Sequence, residues 1–336
     1  MNKLNIFSSN HTRELAQKVI DKINSNFVNS SEIRDGIPQL DDNLVSLGNC
    51  PIETFNNNEI SCEYKDSIRD QPVYIFGSTG THEIMELLLM LDAAKRASAS
   101  KIYIVLPCYG YARQDKKEGK HKRGPIGAKL VADLLSIAAG KALSGIIGID
   151  LHAESIEGFF DVPFNHISGT TIFRDELKKI ITDNTVIASP DAGGKLRVKR
   201  MATKLGTEMV GMDKTRAKPG EIESVSLIGD VEGKDIFIHD DIIDTAGTLL
   251  KSAEYLITEK KAKSVIAVCT HPVLSKNAVE KINKSPYLSK VIISDTIPLS
   301  DAALACEKIQ VISSADILAK IIGRVSIGQS MDAVNS

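Results

Sequence analysis

The sequence predicts an α/β protein of two successive doubly wound units with mainly parallel sheets. Two observations carry that prediction. Short runs rich in Val and Ile alternate with segments whose apolar residues recur at helical spacing, and the alternation restarts beyond residues 150–170. The chain also has 336 residues, enough for two domains of ordinary size.

In the first series, Val73 to Phe76 reads as a short apolar strand. Ile84, Leu87, Leu88, Leu91 and Ala94 set a helix over 83–97. Lys101 to Leu106 is the next strand, closed by Pro107; a helix over 125–138 and a strand from Gly145 to Ile149 follow. The second series has a strand at 185–188, a helix at 194–205, and strands at 208–212 and 236–239. A helix at 246–258, a strand at 264–269, a helix at 275–283 and a strand at 290–293 complete it. The expected division is one domain over 1–166 and a second over 167–308, with a final helix at 309–326 returning to the first. Residues 26–50, rich in Asn, Ser, Asp and Gly, read as a surface excursion.

Composition narrows the function. A net charge of −2 supplies no basic field to draw the chain to nucleic acid or to an acidic membrane. No apolar run approaches the roughly 20 residues that cross a bilayer, and the N-terminus lacks the apolar core of a secretory signal. The five cysteines (50, 62, 108, 269 and 306) have neither metal-ligand nor disulfide spacing, which predicts reduced thiols and a cytoplasmic protein.

The most informative stretch is Ile236-Phe237-Ile238-His239-Asp240-Asp241-Ile242-Ile243-Asp244-Thr245-Ala246-Gly247-Thr248. An apolar strand ends in two acids, a loop of small residues follows, and a helix opens at Ala246 with Leu249, Leu250, Ala253, Leu256 and Ile257 on one face. Backbone N–H groups at a helix start attract an anion, and the hydroxyls of Thr245 and Thr248 add donors. Asp240 and Asp241 are expected just past the carboxyl end of the strand, where open α/β sheets bind ligands. A phosphate suits one end of this loop, and sugar hydroxyls or a metal suit the other, so the expected ligand is a sugar phosphate. The plainer alternative is an ordinary N-cap before a helix.

Four further segments admit a chemical reading beside a plainer one: a capped turn at 189–194, a packed or solvated histidine at 152, a solvated basic turn at 110–117 and a disordered basic hairpin at 213–220. Ser189-Pro190-Asp191-Ala192-Gly193-Gly194 lies between a strand and a helix, and its paired glycines let backbone approach a ligand. His152, in Asp150-Leu151-His152-Ala153, follows another strand and suits a metal or phosphate partner. Gly110 to Lys117 is a glycine-led loop whose Arg113 offers a planar fork of donors for phosphate oxygens. Asp213 to Gly220 reads as a loop outside any element, with Lys214 and Arg216 two residues apart and directed alike from an extended chain.

Together these segments closely resemble the ribose-phosphate pyrophosphokinases, or PRPP synthetases. Met85 to Met90, Tyr109 to Lys117, Asp150 to Phe160, Ser189 to Gly194, Asp240 to Thr248, Thr270 to Ser275 and Asp295 to Pro298 carry the resemblance, which spans nearly the whole chain. It implies two similar phosphoribosyltransferase-like domains that transfer the pyrophosphoryl group of ATP to the C1 hydroxyl of ribose 5-phosphate. The products would be PRPP and AMP, for nucleotide biosynthesis. By resemblance, Asp240, Asp241, Asp244, Thr245, Ala246, Gly247 and Thr248 would bind ribose 5-phosphate together with Arg216. Lys214 and Arg216 would be catalytic. Arg113, Gln114 and His152 would contact ATP, while Phe55, Asn57, Asn58 and Glu59 would line an adenine pocket of a neighbouring subunit. His152 and Asp191 would hold Mg2+. Self-association into dimers, and from those into hexamers, is implied as well.

The chain departs from the family pattern in places. The adenine segment reads Phe55-Asn56-Asn57-Asn58-Glu59 where Phe-Ser-Asp-Gly-Glu is usual, and Gly127 stands where Ser or Thr is common. Two other readings compete: a non-catalytic regulatory subunit of such an enzyme, and a phosphoribosyltransferase that consumes PRPP. Retention of His152, Asp191, Lys214, Arg216 and the whole 240–248 loop opposes the first. The second needs only about half this length.

Overall fold

The computed structural model describes residues 4–28, 45–117, 123–190, 193–215, 224–331 and Val334. The chain divides into two compact units, Met1–Ser168 with Ser314–Ser336 and Gly169–Ser313.

The first unit begins with β1 (Asn5–Ser8) and α1 (Arg13–Val28). A separate antiparallel hairpin, β2 (Ile52–Thr54) and β3 (Ile60–Cys62), comes next. Then follow β4 (Pro72–Phe76), α2 (Ile84–Arg96), β5 (Lys101–Leu106), α3 (Gly127–Ala139), β6 (Leu143–Ile149) and β7 (Phe164–Ile167). The main sheet runs β1-β4-β5-β6-β7, all parallel. Strand side chains alternate between faces. On one face Val73, Ile75, Ile102 and Ile104 join Leu87, Leu91, Val131 and Leu135 of α2 and α3 in one apolar cluster. On the other, Tyr74 stacks on Tyr103 with ring centroids 4.9 Å apart.

The second unit comprises α4 (Gly169–Leu177), β8 (Thr185–Ser189), α5 (Lys195–Leu205), β9 (Glu208–Thr215), β10 (Ser224–Ile228) and β11 (Asp235–Ile243). It continues through α6 (Gly247–Thr258), β12 (Ser264–Pro272), α7 (Ala278–Lys284), β13 (Lys290–Ser294), α8 (Asp301–Leu304) and β14 (Ile309–Ile312). Its sheet order is β10-β9-β8-β11-β12-β13-β14, parallel except for the antiparallel β9–β10 pair. The order reverses between β8 and β11. That is a topological switch point, where the loops after two adjacent strands diverge and leave a crevice. Leu249, Ala253 and Leu256 bury the inner face of α6. Each such leucine stabilises the unit by about 1.5–3 kcal/mol. The chain then returns to the first unit as α9 (Ala315–Ser326), which packs on α1.

Several elements differ from the sequence reading. β11 does not stop at His239: it continues through Asp240 and Asp241 to Ile243, because β12 runs alongside and pairs Asp240 with Cys269 and Ile243 with Pro272. The final helix starts at Ala315, since Ile309–Ile312 is taken by β13 as a further strand. Asp213, Lys214 and Thr215 belong to β9 rather than to a loop, and Lys214 stands opposite Val225. The helix expected over 275–283 opens only at Ala278, after Leu274 and Lys276 adopt positive φ. Part of the 26–50 excursion is also structural: Leu47 bridges Ile6 beside β1, and Val45 and Cys50 are buried.

Candidate active site

The β11–α6 connection sits at the switch point of the second unit. Pairing with β8 ends at Ile238 and Ala188, so β11 projects beyond β8 from His239 onward with β12 as its partner. Alternation of side chains separates the two acids. Asp241 is buried, and its carboxylate meets the Arg197 guanidinium of α5 at 3.2 Å. Asp240 is half-buried, and its Oδ1 accepts the Asp241 N–H at 3.0 Å. Asp244 is fixed from the β12 side. Ser275 donates its hydroxyl to Asp244 Oδ1 at 2.5 Å and its N–H to the Asp244 carbonyl at 3.0 Å. Leu274 donates its N–H to the Ile243 carbonyl at 3.0 Å, which ties the two strand exits together.

The start of α6 has an unusual backbone conformation. The residue before α6 is Ala246, in the left-handed region at φ 60°, and no side chain caps the helix. A non-glycine residue held there is uncommon and is characteristic of ligand loops. The first-turn N–H groups of a helix have no intrahelical partner, and the alanine at the N-cap position has no side chain to offer them. Thr245 and Gly247 are half-buried and Thr248 is exposed, so the hydroxyls and amides line an open cradle.

Behind the cradle the ends of β12 and β13 share a polar network. His271 Nδ1 and the Thr296 hydroxyl lie 2.9 Å apart, and the hydroxyls of Thr296 and Ser294 both donate to the Thr270 carbonyl, at 2.8 and 2.5 Å. Buried polar groups satisfied in this way hold strand ends rigidly. Cys269 lies below, where burial pushes its thiol well above the ordinary range; it is inert.

In the first unit, two strand exits are equally constrained. After β5, Gly110 donates its N–H to the Thr79 hydroxyl at 2.6 Å, and a Cβ at Gly110 would stand 2.4 Å from the Thr79 carbonyl oxygen. Only glycine fits there. Tyr111 then takes φ 61°, and its hydroxyl lies 2.9 Å from that of Thr81. Arg113 and Gln114 follow in a short turn and are exposed. The Gln114 side chain lies over Gly127 at the start of α3, with Oε1 2.6 Å from where a Cβ would be.

After β6, Asp150 takes φ 42° and gives its N–H to the Ile167 carbonyl at 2.7 Å. The Leu151 N–H donates to His166 Nε2 at 3.1 Å, and His166 Nδ1 lies 2.9 Å from Glu157 Oε1. An imidazole that accepts at Nε2 carries its proton on Nδ1, so His166 clamps the turn that presents the exposed His152. At the β2–β3 hairpin, Phe55, Asn57, Asn58 and Glu59 are all exposed. The Phe55 N–H bonds to the Glu59 carbonyl at 2.8 Å, Asn58 takes φ 65°, and Asn57 Oδ1 accepts the Glu59 N–H at 3.1 Å. The Asn57 amide oxygen therefore braces its own turn.

Asp191 and Arg216, and the side chain of Lys214, lie outside the described residues. Among the described residues no three of His, Cys, Asp or Glu cluster as a metal cage. No helix among them is long and apolar enough to cross a membrane.

Comparisons with known proteins agree with this geometry. The N-terminal domain of ribose phosphate pyrophosphokinase matches residues 4–140, and the phosphoribosyl synthetase-associated domain matches residues 188–335. The ribose-phosphate pyrophosphokinase of Porphyromonas gingivalis is 40% identical over 98% of this chain and 97% of its own length. That of Oceanobacillus iheyensis is 40% identical over 98% and 96%. The chain belongs to the ribose-phosphate pyrophosphokinase family. The crystal structure of phosphoribosylpyrophosphate synthetase from Mycobacterium smegmatis superposes with a TM-score of 0.83 at 32% identity, covering 98% of this chain and 100% of that one. Like that structure, this pyrophosphokinase-family enzyme is α/β with mainly parallel sheets.

Sequence reasoning overlooked the residues that fix the family's loops in place here: Arg197, Ser275, Thr79 and His166. Arg197 lies eight residues beyond β8, and nothing local marks it as the partner of Asp241. His166 was readable only as one more strand histidine. Gly110 alone carried a legible signal, a glycine directly before an aromatic residue at a strand exit.

Proposed function

We propose that this enzyme transfers the pyrophosphoryl group of ATP to the C1 hydroxyl of ribose 5-phosphate, giving PRPP and AMP. The observation that carries the reading is the helix α6 opening from left-handed Ala246 with no side-chain cap, at the switch point of its sheet. The 5-phosphate occupies the amides and hydroxyls of Asp244 to Thr248, with Arg216 as a further cation. Asp240 accepts from the ribose hydroxyls. Asp241, buried against Arg197, stands close to the sugar and positions Asp240 and the loop from beneath. Arg113, Gln114 and His152 hold ATP, and Phe55, Asn57, Asn58 and Glu59 contact adenine from a neighbouring subunit, the exposure of this hairpin tip being the support. The assembly is then at least a dimer, and a hexamer by analogy with the family. Its place is the cytoplasm, in keeping with five free cysteines.

The C1 oxygen attacks the β-phosphorus, the bond from that phosphorus to the α–β bridging oxygen breaks, and AMP leaves. Positioning and electrostatics do most of the work in phosphoryl-type transfer. Lys214 and Arg216 stabilise charge that builds in the transition state. His152 and Asp191 would hold a magnesium ion that enters with the nucleotide, an oxygen-preferring ion suited to a carboxylate and phosphate oxygens. Bound there, it would neutralise phosphate charge.

The test is the purified protein with ATP, a magnesium salt and ribose 5-phosphate, followed by 31P NMR. PRPP and AMP in equal amounts are expected. Product absent alone but appearing when an active relative is added would establish the regulatory reading instead, and consumption of supplied PRPP with a base would establish the transferase.

A further inference from the structure

The β2–β3 hairpin sets two cysteines against each other, and no step of the chemistry above uses either. Its register pairs Ile52 with Cys62. The ladder continues to the Lys65 N–H, which donates to the Asn49 carbonyl at 2.9 Å, so Cys50 stands opposite Tyr64. Side chains alternate along each strand, and Cys50, Ile52, Cys62 and Tyr64 therefore share one face. That face packs against the apolar cluster under α2. Cys50 and Cys62 are diagonal neighbours on it. Both are free, Cys50 buried and Cys62 half-buried.

We propose that Cys50 and Cys62 form an oxidisable dithiol that a hydroperoxide converts to a disulfide within the hairpin. The roles of the two sulfurs follow from their surroundings. The neighbouring Cys50 thiol lowers the Cys62 thiol below its ordinary range, while Cys62 and burial raise Cys50; Cys62 is also the more exposed of the two. Cys62 is thus the thiolate that attacks. Its sulfur bonds to one peroxide oxygen, the O–O bond breaks, and the departing oxygen leaves as water or alcohol after taking a proton. Cys62 becomes a sulfenic acid. The Cys50 sulfur then bonds to the Cys62 sulfur, the S–OH bond breaks, and the Cys50 proton leaves with the hydroxide as a second water. Two thiols are oxidised and one peroxide is reduced.

The position of the pair gives this bond a consequence. Diagonal neighbours start further apart than the Cα separation of about 5.5–6 Å that a disulfide prefers. Closing the bond shears β3 along β2 and moves the turn from Phe55 to Glu59. That consequence rests on the proposed contact of this turn with adenine; formation of the disulfide does not.

The experiment exposes the full-length protein to a few equivalents of hydrogen peroxide and maps the thiols by mass spectrometry without reduction. The expected product is a peptide joining residues 50 and 62, lighter by two hydrogens and restored by dithiothreitol. The Cys50→Ser variant is expected to stop at a sulfenic acid on Cys62 that dimedone traps, and Cys108→Ser to leave the cross-link intact. Oxidation of Cys108 in wild type with Cys50 and Cys62 still reduced would overturn the proposal, as would a sulfinic acid on Cys62 without any cross-link. The KM for ATP, measured on the same oxidised sample, is expected to rise several-fold and to recover on reduction. A cross-linked protein with an unchanged KM would remove the hairpin tip from the adenine site while leaving the dithiol standing.

Discussion

Arg197 and Asp241 offer the sharpest test of how the loop proposed for ribose 5-phosphate is held. Their atoms lie 3.2 Å apart, and their side chains are 14% and 5% exposed. At an effective dielectric of about 20, opposite unit charges at this distance attract by about 5 kcal/mol. Desolvation consumes much of that, so the pair as a whole contributes little net stability. Removing one partner is different, because it leaves the other charge buried, at a cost of about 3–5 kcal/mol. Arg197→Met should therefore lower stability by about that amount, a drop of roughly 10 °C in melting temperature for a unit of this size. Asp241→Asn should cost less, since Arg197 sits closer to solvent. The double variant removes both charges and should recover part of the loss, with a coupling of about 2 kcal/mol or more in urea melts followed by circular dichroism. Additive single effects, within about 0.5 kcal/mol, would refute the pairing as the support of this loop. In the folded fraction, Arg197→Met should raise the KM for ribose 5-phosphate more than that for ATP.

Gly110→Ala would drive its Cβ to 2.4 Å from a backbone carbonyl; initial-rate assays should show at least a tenfold loss, since the turn bearing Arg113 must shift, and near-wild-type turnover would contradict this. Gly127→Ser should displace the Gln114 side chain and raise the KM for ATP several-fold, with ribose 5-phosphate unaffected. Lys214→Ala should cut turnover by about 10³-fold with smaller changes in Michaelis constants, and a variant that keeps its kcat would take the lysine out of the transition state. Acid stability provides the last prediction. The Ser264 hydroxyl, with Lys263 beside it, holds the Asp235 carboxyl below the usual carboxylate range. With the folded value below the unfolded one, its contribution is complete above the unfolded value near pH 4 and lost as the pH falls through the folded value (about 4 being the ordinary aspartate range). Asp235→Asn should accordingly lose less stability than wild type between about pH 5 and pH 3 in parallel melts, and equal acid limbs would count against the assignment.

The sequence alone determined the order of strands and helices from Val73 to Ile149 and from Thr185 to Ile293, because apolar periodicity is a local property of a buried strand or an amphipathic helix. It also determined where the ligand loop lies, since a run of Asp, Thr, Ala and Gly at a strand-to-helix junction reflects backbone chemistry that needs no distant partner. Only the tertiary structure decided the surroundings of each acid. Asp240 and Asp241 are adjacent in the chain, yet β12 extends the strand through both, and the two-residue alternation parts them and brings Asp241 to Arg197, 44 positions earlier. The same limit hid the short strand Ile309–Ile312, which exists because β13 offers an edge, and the facing thiols of Cys50 and Cys62, which only hairpin register brings together. Pairing across a sheet depends on residues far apart in sequence, and no local pattern encodes which carboxylate, thiol or guanidinium will stand on the other side.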